Sequence, residues 1–107
     1  AIQYKADIMQ TELQKIVDQH DDLDIELRGH GMVWGLDFAQ PGLATEISRE
    51  SFDNKLVIEL AGADDNVLKL LPALTIDEKV LREGLDIISK AIDTVKARKL
   101  KAFRGAA

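Results

Sequence analysis

Ile2, Ala6, Met9, Leu13, Ile16 and His20 follow one another in steps of three and four, which draws one face of an amphipathic helix. Asp21, Asp22 and Asp24 end it, because short acids favour turns and their charge opposes the dipole at a helix C-terminus. From Ile25 the period drops to two. Ile25 and Leu27 hold odd positions, whereas Met32, Trp34, Leu36 and Phe38 hold even ones. The alternation therefore slips by one residue at Gly29-His30-Gly31, where a bulge within one strand is the expected way to absorb it. Pro41-Gly42 closes that strand. Leu43, Ala44, Ile47 and Ser51 mark a short helix, with Asn54 at the expected left-handed terminator. Two apolar runs of strand length, 56–60 and 67–71, flank a turn at 62–66 whose Asp64, Asp65 and Asn66 are good turn formers. Asp77 is placed to cap a last helix, with Thr75 and Glu78 as an alternative capping box. Leu81, Leu85, Ile88, Ile92 and Val95 form its core face.

The order α-β-α-β-β-α predicts an α+β, two-layer sandwich: a small, largely antiparallel sheet with helices packed on it. No repeat, linker or low-complexity tract divides the chain. With 107 residues, 46% of them apolar, it has the material for one core. Cysteine is absent, which removes disulfides, thiolate metal sites and cysteine nucleophiles together. No apolar run approaches the roughly 20 residues that span a membrane, so no membrane partner is expected. No basic-then-apolar leader stands in the residues given, and the cytoplasm is the default location. Ala1 opens directly into a helical pattern without methionine, as expected of a cut chain or a partial reading frame.

Charge is unevenly spread. Residues 1–95 carry nine lysines and arginines against nineteen acids, a net charge of −10, and residues 96–107 carry five cations and no acid. The overall −5 argues against nucleic acid as a partner. The basic end (Lys96, Arg98, Lys99, Lys101, Arg104) is expected to complement the dipole of the last helix and fray into solvent.

Lys69 has the sharpest functional reading. It lies mid-strand between Val67-Leu68 and Leu70-Leu71, where a charge belongs only if one face meets solvent, a partner or a ligand. The plainer role is a lysine whose stem lies along an open strand face. Arg28 is expected to pair with a carboxylate such as Asp37, with substrate contact as the lesser alternative. Trp34 and Phe38 share a strand face with Met32 and Leu36 and are assigned to the core. His20, at a helix end, is expected to be solvated, and no spacing links it with His30, the other histidine, into a metal site. Asp64-Asp65-Asn66 lacks the twelve-residue loop and closing glutamate of a calcium site. Gly29-His30-Gly31 lacks the third glycine and following helix of a dinucleotide site.

Two blocks carry a resemblance. Arg28-Gly29-His30-Gly31, leading into Met32–Phe38, resembles the Arg-Gly-x-Gly strand of class III (ornithine-type) pyridoxal-phosphate aminotransferases. Val67-Leu68-Lys69-Leu70-Leu71-Pro72-Ala73-Leu74-Thr75-Ile76 resembles that family's strand with a basic residue, its Pro-x-Leu-Thr-Ile turn and its final helix. The likeness covers residues 1–97 and implies the C-terminal small domain of such an enzyme, with 98–107 as a basic tail. It further implies pyridoxal phosphate in the parent enzyme, a large domain as partner, and a homo-oligomer. At the position of Lys69 the family generally has an arginine that grips the α-carboxylate of glutamate and 2-oxoglutarate. Lysine keeps the charge and loses the bidentate fork. The family's Schiff-base lysine, pyridine-nitrogen acid and phosphate cup resemble nothing in this chain, so these residues alone are expected to bind no cofactor and hold no catalytic residue. Isolated residues are expected to self-associate, with Tyr4 and Ile8 of the first helix as the exposed apolar surface. The alternative is a stand-alone α+β module that binds a partner or a small acid and catalyses nothing.

Overall fold

The computed structural model describes residues 2–73 and 75–106; the side chains of Ile2 and of 103–106, Arg104 among them, and all of Leu74 lie outside the described residues. Helix α1 spans Ile2–Gln19 and is followed by a 3-10 turn, Asp21–Leu23. Strands β1 (Ile25–His30) and β2 (Val33–Phe38), helix α2 (Leu43–Asp53), strands β3 (Glu59–Ala61) and β4 (Val67–Leu70), and helix α3 (Glu78–Ala106) complete the order. The four strands form one antiparallel sheet in the order β1-β2-β4-β3. The architecture is α+β, as the periodicities predict.

The expected single bulged strand is instead a hairpin. His30 pairs with Val33, so Gly31 and Met32 make a two-residue loop, and Ile25, Leu27 and Gly29 face Phe38, Leu36 and Trp34. Antiparallel pairing through a two-residue loop always sets odd positions against even ones. The slip in alternation was therefore the mark of a turn. Gly31 has φ 61° and Met32 does not, the pattern of a type II′ turn with glycine at its first central position. Trp34 locks this turn: its indole Nε1–H donates to the Gly31 carbonyl at 2.7 Å, which lets the ring be buried without an orphaned donor. The ring covers Gly29. A Cβ there would stand 2.6 Å from the Val33 carbonyl oxygen and closer still to the ring atoms. Gly29→Ala is expected to destabilise the fold by about 1–3 kcal/mol through overpacking. A lowered denaturant midpoint with altered fluorescence of the single tryptophan checks it; an unchanged midpoint would show that ring and turn can shift freely.

Ala6, Met9, Leu13 and Ile16 of α1, Leu43, Ala44, Ile47 and Ser51 of α2, and Leu81, Leu85, Ile88, Ile92 and Val95 of α3 are all buried, as their spacing predicts. Trp34, Leu36, Phe38 and Leu68 complete the core from the sheet. Ile8 is also buried, contrary to the expected exposed stripe, and Tyr4 alone of that pair faces outward. Asp77 caps α3, its Oδ1 accepting the Lys79 N–H at 2.8 Å.

Three further expectations are corrected. The left-handed residue after α2 is Lys55 (φ 73°), not Asn54 (φ −102°). The Leu56 N–H donates to the Ser51 carbonyl and the Lys55 N–H to the Phe52 carbonyl, both at 2.9 Å, a Schellman closure. Asn54 contributes through its side chain, donating to the Glu50 carbonyl at 2.9 Å. Because this closure consumes the Leu56 N–H and Ser48 Oγ donates to the Ile58 carbonyl, 56–58 stay out of the sheet and β3 begins at Glu59. Lastly, α3 runs through the expected tail. Arg98 pairs with Glu50 at 2.7 Å and Lys99 with Glu46 at 3.4 Å, which docks its basic end along α2 where fraying was expected.

Candidate site on the open face of the sheet

The helices cover one face of the sheet, and the strand alternation puts the chemistry on the other. Across the four strands the registers align Arg28, Gly35, Lys69 and Glu59 in one row. A neighbouring row is Glu26, Asp37, Val67 and Ala61. The two basic residues singled out from sequence thus share a row with only Gly35 between them, about 10 Å apart at the backbone by strand spacing. One step further along β2, Val33 pairs with His30 and is 48% exposed, and Leu71, just past the end of β4, is 59% exposed. The open face thus sets the row of Glu26 and Asp37 beside the row of Arg28 and Lys69, with exposed Val33 beyond them.

The two cations differ in their commitments. Arg28 Nη2 donates to Asp37 Oδ2 at 2.7 Å and to Glu26 Oε2 at 3.1 Å. Asp37 is fixed from its other side by Asn66, whose Nδ2 donates to Oδ1 at 2.7 Å. The hydrogen bond and charge of Glu26, with Asp37 adding, raise the Arg28 pKa, and Arg28 in turn holds the Glu26 carboxyl below its ordinary range. Arg28 is thus neutralised twice over, in the carboxylate-pairing role expected for it. Lys69 is half-buried, and among the described residues no carboxylate lies within ion-pair distance of it, although Glu59 is its cross-strand partner. Of the two cations in this row, it is the one without a carboxylate partner among the described residues. The pairing of Arg28 was expected from sequence; the lack of an acid beside Lys69 was not legible there, since it depends on the register of β4 with its neighbours.

Outside this face the arrangement is structural. His20, expected in solvent, is buried at 4% exposure against α3. His30 lies exposed on β1 beside the hairpin turn, and among the described residues no cluster of histidine and acid side chains could hold a metal ion. Asp64 and Asp65 sit in the β3–β4 turn, with Asp65 itself left-handed at φ 52°. No helix of the described residues is long and apolar enough to cross a membrane.

A cleft of about 320 Å³ between α1 and α3 holds Lys15 and Arg82. Lys15 is paired with Glu12, and Arg82 with both Glu12 and Glu78, so neither is an unpaired amine or a phosphate cradle. Lys69 stands on an open sheet face, with no enclosing wall to bury a cofactor.

No family model matches the chain. Among known proteins it is 44% identical over 94 residues to the diaminobutyrate–2-oxoglutarate transaminase of Wolinella succinogenes, covering 88% of this chain and 22% of that enzyme. It is 37% identical over 91 residues to the same transaminase of Oceanobacillus iheyensis, covering 85% and 21%. The chain thus spans about a fifth of the length of the curated relatives it matches. Among solved structures, N-acetylornithine aminotransferase from Stenotrophomonas maltophilia superposes with a TM-score of 0.78 at 24% identity, over 91% of this chain and 26% of that one. Lysine aminotransferase from M. tuberculosis gives 0.78 at 17% identity, over 88% and 21%. At such identities the superpositions speak to fold. The chain is a homologue of one segment, about a fifth in length, of diaminobutyrate–2-oxoglutarate transaminases, and it has the fold found in class III aminotransferase chains.

Proposed function

We propose that this chain acts as the small domain of a transaminase that converts aspartate 4-semialdehyde and glutamate to 2,4-diaminobutyrate and 2-oxoglutarate, with Lys69 meeting the substrate carboxylate. The observation that carries the reading is Lys69 itself. It is a basic side chain at mid-strand, free of carboxylate partners among the described residues, on the uncovered face of a sheet homologous to part of such enzymes. A carboxylate arriving at Lys69 gains a charge-assisted contact, while Arg28 is already held by Glu26 and Asp37. The parent would hold pyridoxal phosphate through residues outside this chain, where the cofactor supplies the electron sink for amino transfer. Its large domain would lie over the open face, with Val33 and Leu71 as apolar contacts in place of the α1 surface expected from sequence. The proposal extends to a homo-oligomeric parent in the cytoplasm.

The test is reconstitution. Residues 1–97 are fused in place of the matching segment of the Wolinella succinogenes relative, and transamination between diaminobutyrate and 2-oxoglutarate is assayed beside the 107-residue chain alone. The fusion is expected to be active, and the chain alone to be inactive and to show no borohydride-stable lysine adduct with pyridoxal phosphate. A folded fusion that binds cofactor but does not turn over would count for the other reading, a binding module without a catalytic role.

A further inference from the structure

The junction between the end of α1 and α3 is built around a group that the proposed function does not use. His20 closes the buried face of α1 at 4% exposure. Lys96 Nζ of α3 lies 3.0 Å from its Nδ1. An ammonium has three donors and no acceptor, so this contact requires a lone pair on Nδ1 and places the ring proton on Nε2. Nε2 is buried without a hydrogen bond and faces Asp93 Oδ1 of α3 at 3.4 Å. Lys96 has a second partner, Asp22 Oδ1 of the 3-10 turn, at 3.0 Å. One lysine thus joins the end of α1, the turn that follows it, and α3.

We propose that His20, Lys96, Asp93 and Asp22 form an acid-released clasp that fastens the C-terminal end of α1 to α3. A proton taken from solvent onto Nδ1 removes the acceptor for Lys96 and sets an N–H against the ammonium. The buried ring then carries a charge beside the Lys96 ammonium, with Asp93 Oδ1, 3.4 Å from Nε2, as its counter-charge, and Lys96 is left with Asp22 as its partner. Relief comes from moving the end of α1 and the 3-10 turn off α3.

The charged groups acting on His20 are Lys96 and Asp93 from α3 and Asp22 from the 3-10 turn. Burial, with Lys96 adding, holds the His20 pKa below its ordinary 6.5, against the opposing pull of Asp93 and Asp22. A group whose folded pKa is depressed stabilises the fold above its unfolded pKa and loses that contribution as pH falls. The clasp therefore weakens from about pH 6.5 downward. Asp22, which the Lys96 hydrogen bond holds below 3.8, remains ionised throughout that window.

The experiment is amide hydrogen exchange, corrected for intrinsic rates, between pH 7.5 and 5 on the 107-residue protein, beside an NMR titration of His20. Both are done with His30→Asn so that one imidazole is observed. Amides of residues 17–24 and 92–97 are expected to open progressively below pH 6.5, by up to about tenfold per pH unit, the limit for one proton. The sheet amides of β2 are expected to stay protected. His20→Gln, which keeps an acceptor for Lys96 but does not titrate, is expected to flatten the response. Lys96→Met is expected to move the His20 midpoint upward by removing the opposing charge. The same acid opening in His20→Gln, or an unmoved His20 midpoint in Lys96→Met, overturns the clasp. Should His20→Gln fail to fold, the Lys96→Met midpoint decides alone.

Discussion

Lys69→Ala, in the enzyme reconstituted around this segment, is expected to raise KM for glutamate and 2-oxoglutarate between about tenfold and a hundredfold. A hydrogen bond to a charged group contributes roughly 1.5–3 kcal/mol, and 1.4 kcal/mol is tenfold in binding. Cofactor absorbance should stay unchanged, because Lys69 stands on an open sheet face with no wall around it to enclose a cofactor. Lys69→Arg is expected to keep KM or lower it, since guanidinium restores a bidentate grip on a carboxylate. The contrast between the two variants separates ligand contact from a solvated strand lysine. A KM within about twofold of wild type in Lys69→Ala would leave Lys69 only its plainer role, worth roughly half a kcal/mol of stability. Arg28 gives the internal comparison, since its guanidinium is already bound by Glu26 and Asp37.

Phe38→Ala is expected to lower the unfolding free energy by about 3–5 kcal/mol, the cost of emptying a large core site that relaxes only in part. Phe38 is fully buried and pairs with Ile25 at the end of the hairpin, and its N–H donates to the Asn66 carbonyl at 2.9 Å. Against a total of about 5–15 kcal/mol for a domain, that loss leaves little or no folded population. Denaturant titration should show a lower midpoint at an unchanged slope. A loss under about 1 kcal/mol would mean that neighbouring side chains collapse into the space and that this end of the sheet is plastic. The position also matters to the site, because the next residue inward, Asp37, faces the opposite side and holds Arg28.

The helices were legible at the level of single residues, because an element that buries one face writes that face into its spacing. Every side chain of the α3 stripe from Leu81 to Val95 is buried where its period puts it. The hairpin was legible only in part. Parity changes at a two-residue turn and at a one-residue bulge alike, and nothing local to Gly29-His30-Gly31 distinguishes them. The difference lies in whether β2 pairs back on β1, which is a long-range fact. His20 was misjudged for a related reason. As the last residue of an apolar row it fitted the buried face, but its burial depends on Lys96, seventy-six positions away, to engage the ring. The left-handed turn at Lys55 overrides local preference too, because two backbone hydrogen bonds and the docking of Leu56 hold a residue that would not choose that conformation by itself.

What the sequence determined by itself is the set of elements with one-sided periodicity, the α+β class, and the two basic residues through which a site on the sheet was to be sought. Local periodicity and turn chemistry decide these before any distant contact forms. Only the tertiary structure decided that Lys69 has no acid beside it among the described residues. Arg28 takes Glu26 from its own strand and Asp37 from across a short hairpin, whereas Lys69 is left beside Gly35 by the β2–β4 register, which pairs segments some thirty residues apart.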